Sequence, residues 1–424
     1  MSTRADVIVV GAGSSGAAAS AFLAERGMRV ICIERRPLDE AGARWVNGVP
    51  RAAFVAAGVD LPGPDESDGT PAPFHLVATG GRALVPIHDV LEIDMRKLVA
   101  RLQERAAIAG VEFLDETTVH GLDGDRLSTT AGPLHARWFV DASGLAGARL
   151  LGQPAVARDH LCAAAQEVRE VLDRDAALAF FANHGVAPGE VLGLVGVAGG
   201  YSVLNVRLHH GGRTMGILTG SIPSMGFPSG KAMLDDLVAR EPWIGPRVFG
   251  GSGAIPLRRA HDRLANDRVA LLGDAACQVF PAHGSGVGAG LIAARLLADT
   301  LARGGSLRDY EVAWHRTHGG MFAFFDVFRR WNQTVDADTL GRAMRLGLLD
   351  ADGLRAGIDQ VLPRPSLRAL SDKVRALVRE PRLARTIGLT VARSAAVRAI
   401  YATYPRKASS VPAWAKRVDW LLGT

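Results

Sequence analysis

Gly11, Gly13 and Gly16, spaced G-x-G-x-x-G, and Glu34 beyond them are the first residues of this 424-residue chain whose types and spacing could do chemistry. The first glycine permits a tight turn, the second lets a pyrophosphate approach the backbone, and the third lets a helix pack closely on a strand. The start of that helix offers N–H groups and a positive dipole end to phosphates. An acid about 20 residues on hydrogen-bonds ribose hydroxyls and disfavours a 2′-phosphate. Glu34 stands in that place, so the stretch reads as a site for an adenine dinucleotide. Two other readings are a glycine-rich turn in an ordinary α/β unit and an uncharged targeting segment over residues 7–24. The three glycines and the many serines and alanines there speak against a leucine-rich targeting core.

These residues need elements to hold them. Residues 6–10 are a β-branched apolar run, the pattern of a strand buried on both faces. Residues 17–25 follow as a helix, and residues 28–33 as a second strand closing on Glu34. A third buried strand closes on Asp141, Ser143 and Gly144. A fourth, over residues 268–272, runs into Gly273, Asp274, Pro281, Gly284 and Gly286 before a helix over 291–301. This second glycine-loaded helix start also suits an anion, and an acid at a strand end can hold a polyol hydroxyl. A dinucleotide long enough to reach both helix starts fits better than a small ligand.

Between these landmarks, residues 60–73 read as a loop, 91–109 as an amphipathic helix, and 111–114 and 117–122 as strands. Residues 160–251 change character, with short runs at 177–181, 191–197, 201–208 and 214–222 parted by Gly, Pro and the turn His209–Gly212. That pattern predicts antiparallel sheet. The fold class is therefore α/β, a Rossmann-like dinucleotide-binding domain with an inserted antiparallel β-sheet substrate domain and a helical C-terminal region. The expected division is 1–159 and 266–304 for the two parts of the binding domain, 160–265 for the substrate domain, and 305–424 for the helices.

Composition sets the outer bounds. A chain with 48% hydrophobic residues is large enough for two domains. Cys32, Cys162 and Cys277 form no CxxC pair, which fits a reducing, cytoplasmic setting and predicts no metal site. The net charge of +6 resides in the tail: residues 366–424 hold 12 Lys or Arg against 3 acids. Basic heads beside Trp414 and Trp420 suit a peripheral membrane surface or an acidic carrier or electron partner, against the plain reading of a solvated face. No nucleic-acid partner is expected. His315 and His318 make an HxxH without a third ligand, and no GxSxG elbow, HExxH or Walker loop is present.

With these motifs together, the sequence resembles the FAD-dependent oxidoreductases of the p-hydroxybenzoate hydroxylase fold over about residues 6–300, carried by Gly11, Gly13, Gly16 and Glu34, by Asp141, Ser143 and Gly144, and by Gly273, Asp274, Pro281, Gly284 and Gly286. The middle of the chain looks closest to the geranylgeranyl reductase-like branch, through Pro188-Gly189, Gly199-Gly200-Tyr201 and residues 253–257. It departs from that branch in having no cysteine within residues 44–48. The resemblance implies FAD as cofactor, with further contacts at Ser15, Arg35, Arg96, Val119, Ser285 and Val287. It implies a flavin at the junction of the two domains and an NAD(P)H electron donor that binds transiently if it binds at all.

The same resemblance puts Asn47, Arg44 and Trp45 beside the flavin. Asn47 could hydrogen-bond a substrate carbonyl, and Arg44 a carboxylate or phenolate; an ordinary loop is the alternative. His283, between Pro281 and Gly284, could transfer a proton or hold a structural hydrogen bond. Tyr201 could protonate a carbanion left by hydride addition, or serve as a plain sheet tyrosine. The expected activity is that of an FAD-dependent oxidoreductase on a small, apolar or conjugated molecule, by hydride transfer at a C–C bond. The alternatives are an FAD-dependent monooxygenase using NAD(P)H and O2, and a non-catalytic dinucleotide-binding protein that recruits a partner through its basic tail.

Overall fold

The computed structural model describes residues 4–67, 71–364, 366–378 and 380–423. At its centre is strand Arg4–Val10, whose Val7, Ile8 and Val9 are wholly shielded from solvent. Each such side chain contributes about 1.5–3 kcal/mol when buried. It pairs in parallel with Val30–Ile33 and Gly132–Asp141, and these pair in turn with Glu112–Leu114 and Val269–Leu271. Strands Arg126–Thr129 and Val119–Asp123 extend the sheet antiparallel. The register is level at the carboxyl ends, with Val10 opposite Ile33 and Asp141, and Asp141 opposite Leu271. All four strand ends therefore deliver their following residues to one edge, where open α/β sheets bind ligands.

Helices Ser14–Ala24, Met95–Ile108 and Val287–Ala302 pack against one another over this sheet. Residues 91–94, expected to open a helix, instead belong to strand Val90–Asp94, which pairs with Val46–Pro50. The helix begins at Met95 because the Asp94 carboxylate accepts the Arg96 backbone N–H at 3.0 Å and caps it.

The second sheet has seven strands in the order Ile244–Pro256, Leu161–Val171, Thr214–Ser221, Ser202–His209, Val191–Val195, Phe74–Ala78 and Gly81–Val85. Its pairings are antiparallel except that Val191–Val195 runs parallel to Phe74–Ala78. The hairpin Phe74–Val85 thus joins this sheet although it lies within residues 1–159. Residues 177–181 are not a strand. They sit in helix Arg174–Asn183, started by Asp173, whose carboxylate accepts from Asp175 and Ala176 at 3.0 Å. The turn at residues 209–212 forms as expected, closed by Gly212 N–H to the His209 carbonyl at 2.9 Å.

The C-terminal region is helical. Leu307–Trp314 continues through a wide turn at His315–Gly319 into Gly320–Thr334, and Pro381–Ala402 and Val411–Leu422 pack on it. His315 is fully buried with its ring stacked on Tyr404 at 4.2 Å, and burial holds its imidazole down to about 3. Buried Arg259 reaches Asp419 at 2.9 Å and the Tyr401 hydroxyl at 3.2 Å, while Asp326 and Arg329 form a fully buried pair. The two tail tryptophans part company here. Trp414 lies wholly inside this core, donating to the Ile400 carbonyl, whereas Trp420 is 78% exposed. No described helix is long and apolar enough to cross a membrane.

This difference predicts two outcomes for two alike residues. Trp414→Ala should cost about 3–5 kcal/mol of unfolding free energy, and Trp420→Ala should stay within about 0.5 kcal/mol. Urea titration of the two variants decides, and equal losses would contradict the packing described for the tail.

Candidate active site

The level strand ends build a groove of about 270 Å3 lined by Gly11, Gly13, Ser14, Ser15, Glu34, Arg35, Ala142, Ser143, Gly144, Gly273, Asp274, Gly286 and Val287, among others. The turn that leads into it must be glycine. At Gly11, with φ of +101°, a Cβ would come within 2.5 Å of the Ala142 carbonyl oxygen, and at Gly16 within 1.8 Å of the Gly11 carbonyl oxygen. Two helices start here, at Ser14 after Gly13 and at Val287 after Gly286, and neither start receives a side-chain cap. Their N–H groups are thus left for a ligand. Glu34 is held in place by the Ala12 and Arg36 backbone N–H groups, at 3.0 and 3.2 Å.

Several predicted residues shape the groove from behind. Asp141 is fully buried, accepting from the Ser143 backbone at 3.2 Å and from Leu150 at 2.9 Å, so it folds the loop that presents Ser143 and Gly144. Gly16 and Pro281 are not among the lining residues, and Ser285 faces a second cavity instead, its hydroxyl donating to the Gly48 carbonyl at 2.8 Å. Arg96 and Val119 do not line the groove either. The Arg96 guanidinium is taken by Asp94 at 3.0 and 2.6 Å and lies 3.7 Å over the Phe249 ring, while Val119 sits in the antiparallel extension of the sheet. Sequence reasoning missed Ser14, Gly42, Ala43, Met95 and Leu145, which line the groove through position alone.

A second cavity, of about 250 Å3, adjoins the groove, and Asn47, Ile255 and Gly284 line both. One wall is the face of the second sheet, with Cys162, Ala164, Val168, Val203 and Asn205, and the facing strands supply Val46, Gly48, Val90 and Glu92. Most of this surface is apolar. The Cys162 thiol is pushed up to about 12 by burial, so it acts as a small hydrophobe rather than a nucleophile. Tyr201 lies at the same end, and burial raises its hydroxyl well above the ordinary phenol, keeping it protonated. His283 also lines this cavity and stays exposed.

Trp45 lines the groove and lies against the glycines of strand Ile244–Pro256, where a Cβ on Gly253 would meet its ring at 3.0 Å. Arg44 lines neither cavity. It is exposed, and its guanidinium donates to the Asp39 carbonyl at 2.6 Å, so of the three neighbours Trp45 and Asn47 are brought to the junction and Arg44 is not.

Residues 4–45 match the FAD binding domain family. The residues of the groove fit that cofactor: two uncapped helix starts for a pyrophosphate, Glu34 for a ribose, and a tight turn before the first helix where Gly11 and Gly16 leave no room for a Cβ. The chain is an FAD-dependent oxidoreductase. Over 98% of its length it is 23% identical to the digeranylgeranylglycerophospholipid reductase of Sulfolobus acidocaldarius, covering 97% of that protein. Its fold matches a geranylgeranyl bacteriochlorophyll reductase-like protein from Thermoplasma acidophilum with a TM-score of 0.71, at 16% identity over 91% of this chain and 99% of that one. The flavin-dependent brominase Bmp2 matches with a TM-score of 0.63, at 16% identity over 90% of this chain and 100% of that one.

Asp274 gives this site a pH signature. Burial pushes its carboxyl up to about 6 from an ordinary 3.8. The folded apoprotein therefore binds this proton more tightly than the unfolded chain, so the contribution of this one group to stability is greatest below about pH 4 and falls by up to about 3 kcal/mol as pH rises through 6. Asp274→Asn should remove that loss, making the apoprotein more resistant to urea than the wild type at pH 8 and no different at pH 4. An increment that did not change with pH would count against a buried carboxyl here.

Proposed function

We propose that this flavoenzyme reduces, or in the reverse direction dehydrogenates, a carbon–carbon bond of an apolar, isoprenoid-like or conjugated secondary-metabolite substrate. The observation that carries the reading is the apolar cavity that meets the FAD groove at Asn47, Ile255 and Gly284. The name of the Sulfolobus acidocaldarius relative supports it, since that protein is a reductase of an isoprenoid lipid. Bound FAD would supply hydride transfer, with electrons delivered by NAD(P)H binding transiently or by another donor.

The protein's own residues then do four things. The uncapped starts at Ser14 and Val287, with Glu34, hold the cofactor; Val203, Ala164, Val168 and Val90 exclude water from the substrate. Asn47 lies at the junction, where its amide can orient a polar atom conjugated to the reacting bond. Tyr201, protonated across the physiological range, holds a proton at the same end of the cavity for the carbon that does not receive hydride. His283 lines the same cavity, and Trp45 walls the groove. The two cavities together favour this catalytic reading over a non-catalytic dinucleotide-binding module.

Three buried, free cysteines support a reducing, cytoplasmic setting. Exposed Trp420, Leu389 and Val391 among the arginines of the tail helices support a peripheral membrane surface or an acidic electron partner on that face.

The test begins with the holoenzyme reduced anaerobically and mixed with an isoprenoid alcohol. Return of the oxidised flavin spectrum with a product two mass units heavier supports the reductase. Oxygenated product appearing only with NAD(P)H and air would replace it with the monooxygenase, and a colourless protein that takes up no FAD would leave the binding module. Tyr201→Phe should slow anaerobic reoxidation about 10²-fold or more with FAD content unchanged; an unaltered rate removes Tyr201 from the mechanism.

A further inference from the structure

The wall of the second cavity changes chemistry along its length. Strand Ser202–His209 alternates in burial, and its less buried positions, Val203, Asn205, Arg207 and His209, line the cavity, joined by Val206. Register fixes which end meets the flavin. Cys162 is opposite Ile255, and Ala163 is opposite Ser221, which is itself opposite Ser202. The Val203 end therefore adjoins the groove, and Arg207 lies about 13 Å further along the strand at about 3.3 Å per residue.

At that far end the apolar lining stops. Arg207 donates to Glu92 at 3.0 Å and to the Gly189 carbonyl at 2.8 Å, and the His209 Nε2 lies 3.6 Å from the same Glu92 carboxylate. These charged groups are drawn from two separate sheets and are mostly shielded, with the Arg207 side chain 15% and that of Glu92 29% exposed. An anionic head entering here would meet Glu92 and would have to displace it from Arg207, at a cost in unpaired charge. A hydroxyl can donate to Glu92 and accept from Arg207 or His209 without unpairing either.

We infer that the substrate is an uncharged amphiphile, with an apolar chain beside the flavin and a hydroxyl-bearing head held by Glu92, Arg207 and His209. This rests on the apolar-substrate reading above and adds to it the chemistry of the head. Arg207 and His209 are specificity residues under it, and Glu92 is the group that rejects phosphate and carboxylate.

The experiment titrates oxidised holoenzyme with farnesol and with farnesyl monophosphate, and with their geranylgeranyl counterparts, following the flavin visible band and the heat of binding. The alcohol should bind about tenfold or more tighter than the phosphate, and Glu92→Gln should narrow or reverse that ratio by a similar factor, with FAD content and melting temperature as controls. A wild type that prefers the phosphate overturns the inference while leaving the apolar-substrate reading intact, and this arm needs no variant to fold. Equal binding of both heads, or a ratio unmoved in a well-folded Glu92→Gln enzyme, overturns it as well. If neither ligand binds and neither reoxidises reduced enzyme, the apolar-substrate reading falls, and the inference with it.

Discussion

Two helices of this protein begin with no side chain to cap them, and both beginnings face one groove. A capping Ser or Asp at position 13 or 286 would satisfy the first N–H groups locally, with a gain over glycine of only about a few tenths of a kcal/mol for each helix. Glycine leaves those donors for a ligand. The rest of the architecture serves that choice: level parallel strands bring residues 11, 34, 142 and 273 to the same edge, and small residues let the helices approach each other. At Gly290 a Cβ would strike the Ser15 hydroxyl, so the second helix start can lie against the first only with glycine there.

The helical C-terminal region is tied to this centre by buried ions rather than by apolar contact alone. Glu311, wholly buried, accepts from the Leu264 and Ala265 backbone at 2.7 and 2.6 Å, just before strand Val269–Leu271. Asp326 accepts from the Arg259 backbone at 3.2 Å and pairs with Arg329, whose other contacts reach His160 at the start of the second sheet. These pairs cost desolvation and add little net stability. What they add is register, because a buried charge has few places where it can be satisfied.

The cofactor site was legible in the sequence because glycine at a close approach leaves no substitute and because strand ends place acids by counting. The misreadings have equally local causes. Arg96 was expected at the flavin, but the short Asp94 side chain two residues earlier captures its guanidinium. Residues 177–181 look like an apolar strand until Asp173 is seen to cap a helix there. The second cavity was the least legible part. Its lining is spread over strands and loops from residues 46 to 358, and only the pairing register brings Ala164 and Val203 together across Gly220. Tyr201 and Asn47, which line it, could be singled out from the sequence as candidates, while Glu92 and Arg207 gave no signal of their own.

Asn47 shows why the two cavities must meet where they do. Its strand is held by three bonds from three parts of the molecule: the Met95 N–H to the Trp45 carbonyl at 3.1 Å, the Gln166 amide oxygen to the Val46 N–H at 2.9 Å, and the Ser285 hydroxyl to the Gly48 carbonyl at 2.8 Å. The first comes from a helix of the FAD-binding sheet, the second from the substrate sheet, and the third from the turn before the second uncapped helix. A shift of any one of these would move Asn47 relative to both cavities at once. Rate falls steeply with misplacement on the scale of an ångström, so a junction residue pinned from all sides is what the proposed reaction, shared between two cavities, would require.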